Sequence, residues 1–461
     1  MLQDHPGVED HLVDVEQRAH GEEGQGGPGE AGLAHGEGLR RGEGKANDRR
    51  AHGGDAYGGP QHRGLLGSFA EACAGWCPRR TGVSQPHALD TPRLHAPTER
   101  RPVPGRLFRL QPPHRLRQRG ARLQEGDTGD TGDTAPPDTT PEFIAADHAN
   151  LRYVGRINAS DPLAPVFHWP GSAVEAVFEG TSLTLHLDDA GTNYVSVVID
   201  GGEPTVIACA PGESTYVVAE GLSPGAHTLS VAKRTEIAEG DLTFVGLTLD
   251  PGAELGPRPA EKALKIEFYG DSITSGYSVD CDCDSGDAVY KDNTHTYAAF
   301  TARALDADYH SVSLSGIGLV RSWWSATMVT YWDSLQNDDH AWDFAVWTPD
   351  IVVVNLGQND YWLGVGKEMI PAWINFGRTL RTTYPDAELF FALGSMDVVA
   401  PGSPFPAMLE EAVETLQEED EHVHAVIFEY NGSGRHPVAS EQAWMAEQLL
   451  DTITLVMPEL G

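Results

Sequence analysis

Four short blocks of the chain carry residue types that together could cleave an ester. The first, Phe268-Tyr269-Gly270-Asp271-Ser272-Ile273-Thr274-Ser275-Gly276, sets a serine on a glycine-bounded turn at the end of an apolar run. A helix opening there would present free N–H groups and partial positive charge to an alkoxide or oxyanion, which makes Ser272 a candidate nucleophile. Taken alone, a serine in such a loop is usually a helix cap. The other blocks are Ser315-Gly316-Ile317-Gly318, Gly357-Gln358-Asn359-Asp360 and Gly434-Arg435-His436-Pro437. The N–H of Gly316 and the amide of Asn359 are neutral donors of the kind a tetrahedral oxyanion needs. His436 could take the serine proton and return it to a leaving alcohol. Singly, Gly316 reads as a turn, Asn359 as a turn or cap, and His436 as a partly buried loop histidine; their joint occurrence in this order is the informative feature.

These blocks need strands to end on. Apolar runs at Leu264–Phe268, Tyr309–Leu314, Ile351–Leu356, Leu389–Leu393 and Ala425–Phe428 alternate with helical patterns at Tyr297–Leu305, Trp373–Arg381, Met408–Gln417 and Glu441–Ile453. Near-continuous apolar strands alternating with helices predict an α/β domain, a parallel sheet covered on both faces, with chemistry beyond the carboxyl ends of its strands. Four of the five predicted strands run into a polar or glycine-rich block at that end. Upstream, strand-like runs from Ala173 to Leu249 are separated by Asp200-Gly201-Gly202 and Ser223-Pro224-Gly225, with no helical pattern between them. That spacing predicts an all-β sandwich over 143–250. A tether follows over 251–261, and the hydrolytic blocks occupy 262–461.

The 461 residues leave room for more than these two units. Residues 1–123 carry 18 Lys+Arg against 15 Asp+Glu, whereas the rest carries 14 against 53. The segment 1–124, rich in Gly, Arg, His and Pro without apolar periodicity, reads as disordered or as not naturally part of the mature protein. Residues 125–142, including the run EGDTGDTGDTAPPDTTP, read as a linker. Such tethers often precede an extracellular domain, so a secreted or cell-surface location is inferred, although no signal peptide is visible at Met1. A net charge of -36 disfavours nucleic acid and anionic lipid as partners, and no apolar run approaches the roughly 20 residues of a membrane span. The five cysteines form neither a disulfide framework nor a zinc site, and the acidic run Asp280-Cys281-Asp282-Cys283-Asp284 does not follow a calcium-loop spacing. No metal is expected.

The four blocks resemble those of the GDSL or SGNH hydrolase superfamily. The runs FYGDSITSGY, TYAAFTARALDADYHSVSLSGIGL and TPDIVVVNLGQNDYW, together with the preceding sandwich, are similar to carbohydrate esterase family two over roughly Phe143 to Leu455. The resemblance implies a flavodoxin-like three-layer SGNH domain behind a jelly-roll-like sandwich, and removal of O-acetyl groups from polysaccharides such as xylan or glucomannan without a cofactor. Carried over, Ser272 would be the nucleophile and His436 the base. The Ser272 N–H, the Gly316 N–H and the Asn359 side chain would be the oxyanion donors. Many superfamily members carry an Asp three residues before the histidine; here that position is Ser433, and a backbone carbonyl is expected to orient His436 instead. Asp271 is expected to brace its loop rather than to act as the acid.

Eight of the ten tryptophans lie between Trp323 and Trp444, and Tyr361-Trp362 directly follow the Asn359 block. A broad amphipathic ring suits a ligand with one CH-lined face, so Trp362 and Tyr361 are candidate sugar contacts, whereas Trp342, Trp347 and Trp444 read as core. An anionic surface suits a neutral acetylated polymer. Three readings remain open at this level: a carbohydrate deacetylase, a GDSL-type esterase or lipase of small acyl esters or lipids, and a non-catalytic carbohydrate-binding protein. Oligomeric state is not legible.

Overall fold

The computed structural model describes residues 140–336 and 341–461, so the expectations for 1–124 and for nearly all of the Asp-Thr-Gly run lie outside the described residues. Eleven strands build the first part: β1 (Glu142–Ala145), β2 (Arg152–Val154), β3 (Ile157–Asn158), β4 (Val166–Phe167), β5 (Ala173–Glu179), β6 (Leu183–Asp189), β7 (Tyr194–Ile199), β8 (Thr205–Ala208), β9 (Gly212–Ala219), β10 (Ala226–Lys233) and β11 (Leu242–Leu249). They form two antiparallel sheets, β3-β4-β11-β6-β9 with β1 also on β11, and β2-β5-β10-β7-β8. Alternation explains the packing. Leu183, Leu185 and Leu187 of β6 and Val195 and Val197 of β7 point inward to one apolar core, while Thr184 and His186 between them sit half-buried on the other face and Ser196 is covered there.

The tether expected after Leu249 is fastened to the sandwich. Glu179 N–H donates to Glu254 O at 3.1 Å, Gly256 N–H donates to Val177 O at 2.8 Å, and Leu255 is buried in the sandwich core. The short strands β1 to β4 were not legible as strands because two to four residues are too few to show a period of two.

Five parallel strands follow in the order β13-β12-β14-β15-β16: β12 (Leu264–Gly270), β13 (Ala307–Ser313), β14 (Ile351–Asn355), β15 (Glu388–Leu393) and β16 (Val423–Ile427). This is the flavodoxin-like order. Both faces are covered, which is why the strands read as continuous apolar runs. Val352, Val354, Leu389 and Phe391 pack under the helices Met369–Thr383 and Phe405–Gln417. Ile351, Val353, Phe390 and Ala392 pack under Tyr297–Ala304 and Ala439–Val456.

The sandwich and this α/β layer are bolted together by buried ions. Arg156 sends Nε and Nη2 to Glu267 of β12 at 3.0 and 2.8 Å, and Nη1 to Trp332 O at 2.6 Å. Burial alone would raise the Glu267 carboxyl, but the Arg156 charge, the nearby His310 and a bond from Tyr384 hold it well below the usual carboxylate range. Arg152 of β2 pairs with Asp308 of β13.

Candidate active site

Strand β12 delivers the serine. After Gly270 the chain turns into the helix Ser272–Ser275, with Asp271 as its cap: Oδ1 accepts the Ile273 N–H at 3.0 Å. The helix stops after one turn at Gly276, whose φ of 90° lies in the left-handed region and where a Cβ would stand 2.4 Å from Asp292 O. Ser272 is held at that helix start with only 4% exposure, and its hydroxyl lies 2.8 Å from His436 Nε2.

His436 enters from the loop after β16. That loop is folded around Asn431, whose Oδ1 accepts the N–H groups of Ser433 and Gly434 at 3.1 Å each and whose Nδ2 donates to Arg435 O at 2.7 Å. The orienting group for the imidazole is not a backbone carbonyl. Asp284 Oδ1 lies 2.6 Å from His436 Nδ1 and 3.2 Å from the His436 N–H. A carboxylate only accepts, so Nδ1 carries the proton and Nε2 is left to receive the serine O–H. The bond from His436, with the Arg435 charge behind it, lowers the Asp284 carboxyl below its ordinary value.

The superfamily pattern puts an acid three residues before the histidine, where this chain has Ser433 and the sequence expectation is a backbone carbonyl; the chain instead supplies a carboxylate from the loop after Ser272. The acidic run is a docking strip. Asp280 pairs with Arg234, Asp282 with Arg435 at 2.7 Å, and Asp284 with His436. The cysteines read as forming no disulfide framework; the structure adds one local bond, Cys281 to Cys283, which closes the turn between Asp280 and Asp284. The alternation of Asp and Cys was the available signal. Cys209 is buried with a free thiol, which burial pushes up to about 12.

The second and third blocks meet beside the helix start. Gly316 takes φ 84°, and the Ser315–Gly316 peptide is gripped through its carbonyl, which accepts the Trp324 indole N–H at 2.6 Å. Because the peptide is trans, its N–H points away from that indole. Among the described residues no acceptor meets the Gly316 N–H. Asn359 Nδ2 donates to Ile317 O at 2.8 Å and more weakly to Asp271 Oδ2 at 3.3 Å, the longer contact being the one a competing anion would displace. Asp360, unremarked in the sequence, holds the same loop through the N–H groups of Leu319, Val320 and Arg321 at 2.8, 2.8 and 2.7 Å.

Around the serine and histidine stands an aromatic rim. Tyr277 lies 4.3 Å from the His436 ring and Trp362 lies 6.4 Å from it. Trp362, 41% exposed, is anchored through Nε1 on Asp397 Oδ2 at 3.1 Å. Tyr361 differs from its expected place at a sugar: its ring meets Phe405 edge-on at 5.4 Å and packs against the core. Trp323 and Trp324 are the more exposed rings beside Gly316. Asp280, Asp292 and His295 could bring three ligand atoms together, but the Arg234 guanidinium already occupies both carboxylates.

Residues 153–259 match the carbohydrate esterase 2 N-terminal family and residues 268–453 match the GDSL-like lipase/acylhydrolase family. Over 333 residues the chain is 27% identical to the acetylxylan esterase / glucomannan deacetylase of Cellvibrio japonicus, covering 68% of this chain and 91% of that one. It is 35% identical over 259 residues to the cellulase/esterase CelE of Acetivibrio thermocellus, covering 54% of this chain; the chain spans only about a third, 32%, of that relative's length. The structure of a family two carbohydrate esterase from Clostridium thermocellum, in complex with cellohexaose, superposes with a TM-score of 0.63 at 32% identity, over 67% of this chain and 99% of that one. The chain belongs to family two of the carbohydrate esterases.

In this family-two esterase the carboxyl of Asp271 is the most displaced near the serine. Burial raises it to about 7, opposed by the Ile273 N–H and aided by the Asp360 charge. Asp271 therefore holds a proton in the folded state between about pH 4 and pH 7, where the unfolded chain has released it, so its contribution to stability falls as pH rises across that window. Asp271→Asn keeps an acceptor for Ile273 and removes the titration. Its melting temperature is expected to gain on the parent's between pH 4 and 7 and to hold that gain above; a pH-independent difference would contradict the buried, protonated carboxyl.

Proposed function

We propose that this chain is a serine esterase that removes O-acetyl groups from neutral polysaccharides such as xylan or glucomannan. The observation that carries the reading is the 2.8 Å contact from Ser272 Oγ to His436 Nε2, backed by Asp284 at 2.6 Å on the far nitrogen. In this reading Ser272 attacks the acetyl carbonyl as its proton passes to Nε2. The oxyanion is met by the Ser272 and Gly316 N–H groups and by Asn359 as the 3.3 Å contact to Asp271 yields. Collapse expels the sugar hydroxyl, which takes the proton from His436. Water, deprotonated in turn by His436, then attacks the acetyl-serine; acetate leaves as the bond to Ser272 Oγ breaks and Oγ takes the proton back from His436. No step calls for a metal or cofactor.

The polysaccharide is supported by the name of the Cellvibrio relative, an acetylxylan esterase / glucomannan deacetylase, by the exposed rings of Trp323, Trp324 and Trp362, and by a net charge that disfavours polyanions and nucleic acid. No helix among the described residues is long and apolar enough to cross a membrane. A polymeric substrate and the acidic Thr/Pro run argue for action at or beyond the cell surface. Recovery of the protein from the culture fluid of the producing cells checks this, and confinement to the cytosol would contradict it.

Ser272→Ala and His436→Ala are expected to abolish turnover with melting unchanged, and Asn359→Ala to cost roughly 10²–10³ in kcat. Asp284 is half exposed, so Asp284→Asn should cost less than the roughly 10⁴ seen for a buried triad acid, on the order of ten- to a hundred-fold. A parental rate in Ser272→Ala would refute the nucleophile. For substrate class, acetate release from acetylated xylan and glucomannan is expected to exceed hydrolysis of long-chain acyl esters; the opposite preference would favour a lipase.

A further inference from the structure

Glu236 is a carboxylate that the sandwich buries at the site. It lies in the loop after β10 and is 1% exposed. Its Oε2 accepts the Ser315 N–H at 2.6 Å and its Oε1 accepts the Ser315 hydroxyl at 2.6 Å. The Ser275 hydroxyl, on the nucleophile's helix, reaches Oε2 at 3.4 Å, and Lys291 Nζ lies 2.8 Å from Oε1. The sandwich core does not use this side chain. The neighbouring Lys233 ammonium is served instead by the carbonyls of His168, Thr235 and Glu236. Burying a carboxylate is costly unless it is paired and hydrogen-bonded, and here half of its bonds go to a single residue of the other layer.

That residue precedes Gly316. The Ser315–Gly316 peptide is held at its carbonyl by Trp324, and the next carbonyl, of Gly316, accepts the Trp323 N–H at 3.0 Å. Glu236 supplies the remaining restraint, at the Ser315 nitrogen and hydroxyl. With these fixed, the planar peptide holds the Gly316 N–H in one direction, and among the described residues it is the one backbone donor of the segment left without a partner and open to a ligand. A donor aimed before the reaction begins costs no reorganisation when charge develops, whereas a donor free to swing does.

We propose that Glu236 is a positioning residue for ester hydrolysis, through which the sandwich domain fixes the Gly316 N–H for the oxyanion. The inference rests on the function proposed above. It makes the sandwich part of the hydrolytic machinery rather than an appended module. Because the restrained donor matters most where negative charge is greatest, its loss falls on kcat and leaves KM nearly unchanged.

The test compares Glu236→Gln, Glu236→Ala and Glu239→Gln in the full chain with 4-nitrophenyl acetate and with a methylphosphonate monoester as an inhibitor resembling the tetrahedral state. Glu239 shares Lys291, at 2.6 Å, without touching Ser315, so its variant reports the loss of an ion pair alone. Glu236→Gln is expected to lower kcat about ten-fold and to weaken the phosphonate by a similar factor, with KM within about two-fold. Glu239→Gln should keep the parental kcat. The proposal is overturned if Glu236→Gln keeps the parental kcat, if both Gln variants lose kcat equally, or if the loss lies in KM alone. Should Glu236→Ala fail to fold, the two Gln variants still decide. Ser272→Ala separates the two levels: activity in it refutes the function itself, whereas an inactive Ser272→Ala beside a parental Glu236→Gln refutes only the role of Glu236.

Discussion

One hydrogen bond, between a serine and a histidine 164 positions apart in the chain, organises the structure around it. Proton transfer needs heavy atoms within about 3 Å, yet β12 and β16 stand three strand spacings apart, roughly 14 Å. The sheet alone does not close that distance. The serine advances on a one-turn helix that Gly276 ends, and the histidine returns on a loop wound about Asn431. Each is then stopped from relaxing by a carboxylate: Asp271 caps the helix, and Asp284 holds the imidazole from behind.

Acidic groups crowd this site, and their arrangement decides whether they help or oppose an oxyanion. Asp280, Asp282 and Asp284 each face a cation or an imidazole, so the strip that looks like a block of repulsion is an array of contacts. Glu236 faces Lys291. Among the described residues Asp271 has no cationic partner, and burial raises its carboxyl to about 7, so below neutrality it presents little charge to a developing anion. Desolvation thus quiets the carboxyl beside Ser272 below neutrality, while Asp284, further off, is kept ionised by His436 and Arg435.

The α/β half of the fold was legible because a sheet buried on both faces writes its strands as apolar runs, and because chemistry gathers where those runs end. Ser272, Gly316, Asn359 and His436 could be found as blocks for that reason. Asp284 could not, since nothing in a one-dimensional reading says that an exposed acidic loop docks across 152 positions onto a histidine. The Cys281–Cys283 bond that closes that loop was missed because two cysteines one residue apart do not look like a framework. Tyr361 and Trp362 are adjacent in sequence, yet one packs against Phe405 in the core and the other rims the site, a split set by which side of a short helix each occupies. Glu236 was invisible for a similar reason: its meaning lies in a contact between two layers that the sequence presents as separate.

The most direct test of the central claim is to treat the protein with a phosphonate ester bearing a good leaving group and to locate the adduct by peptide mass spectrometry. One equivalent of phosphonyl on the Ser272 hydroxyl, accumulating in step with the loss of esterase activity and slowed in His436→Ala, is the predicted result. A label on any other residue, or complete labelling of Ser272 with turnover intact, would contradict it.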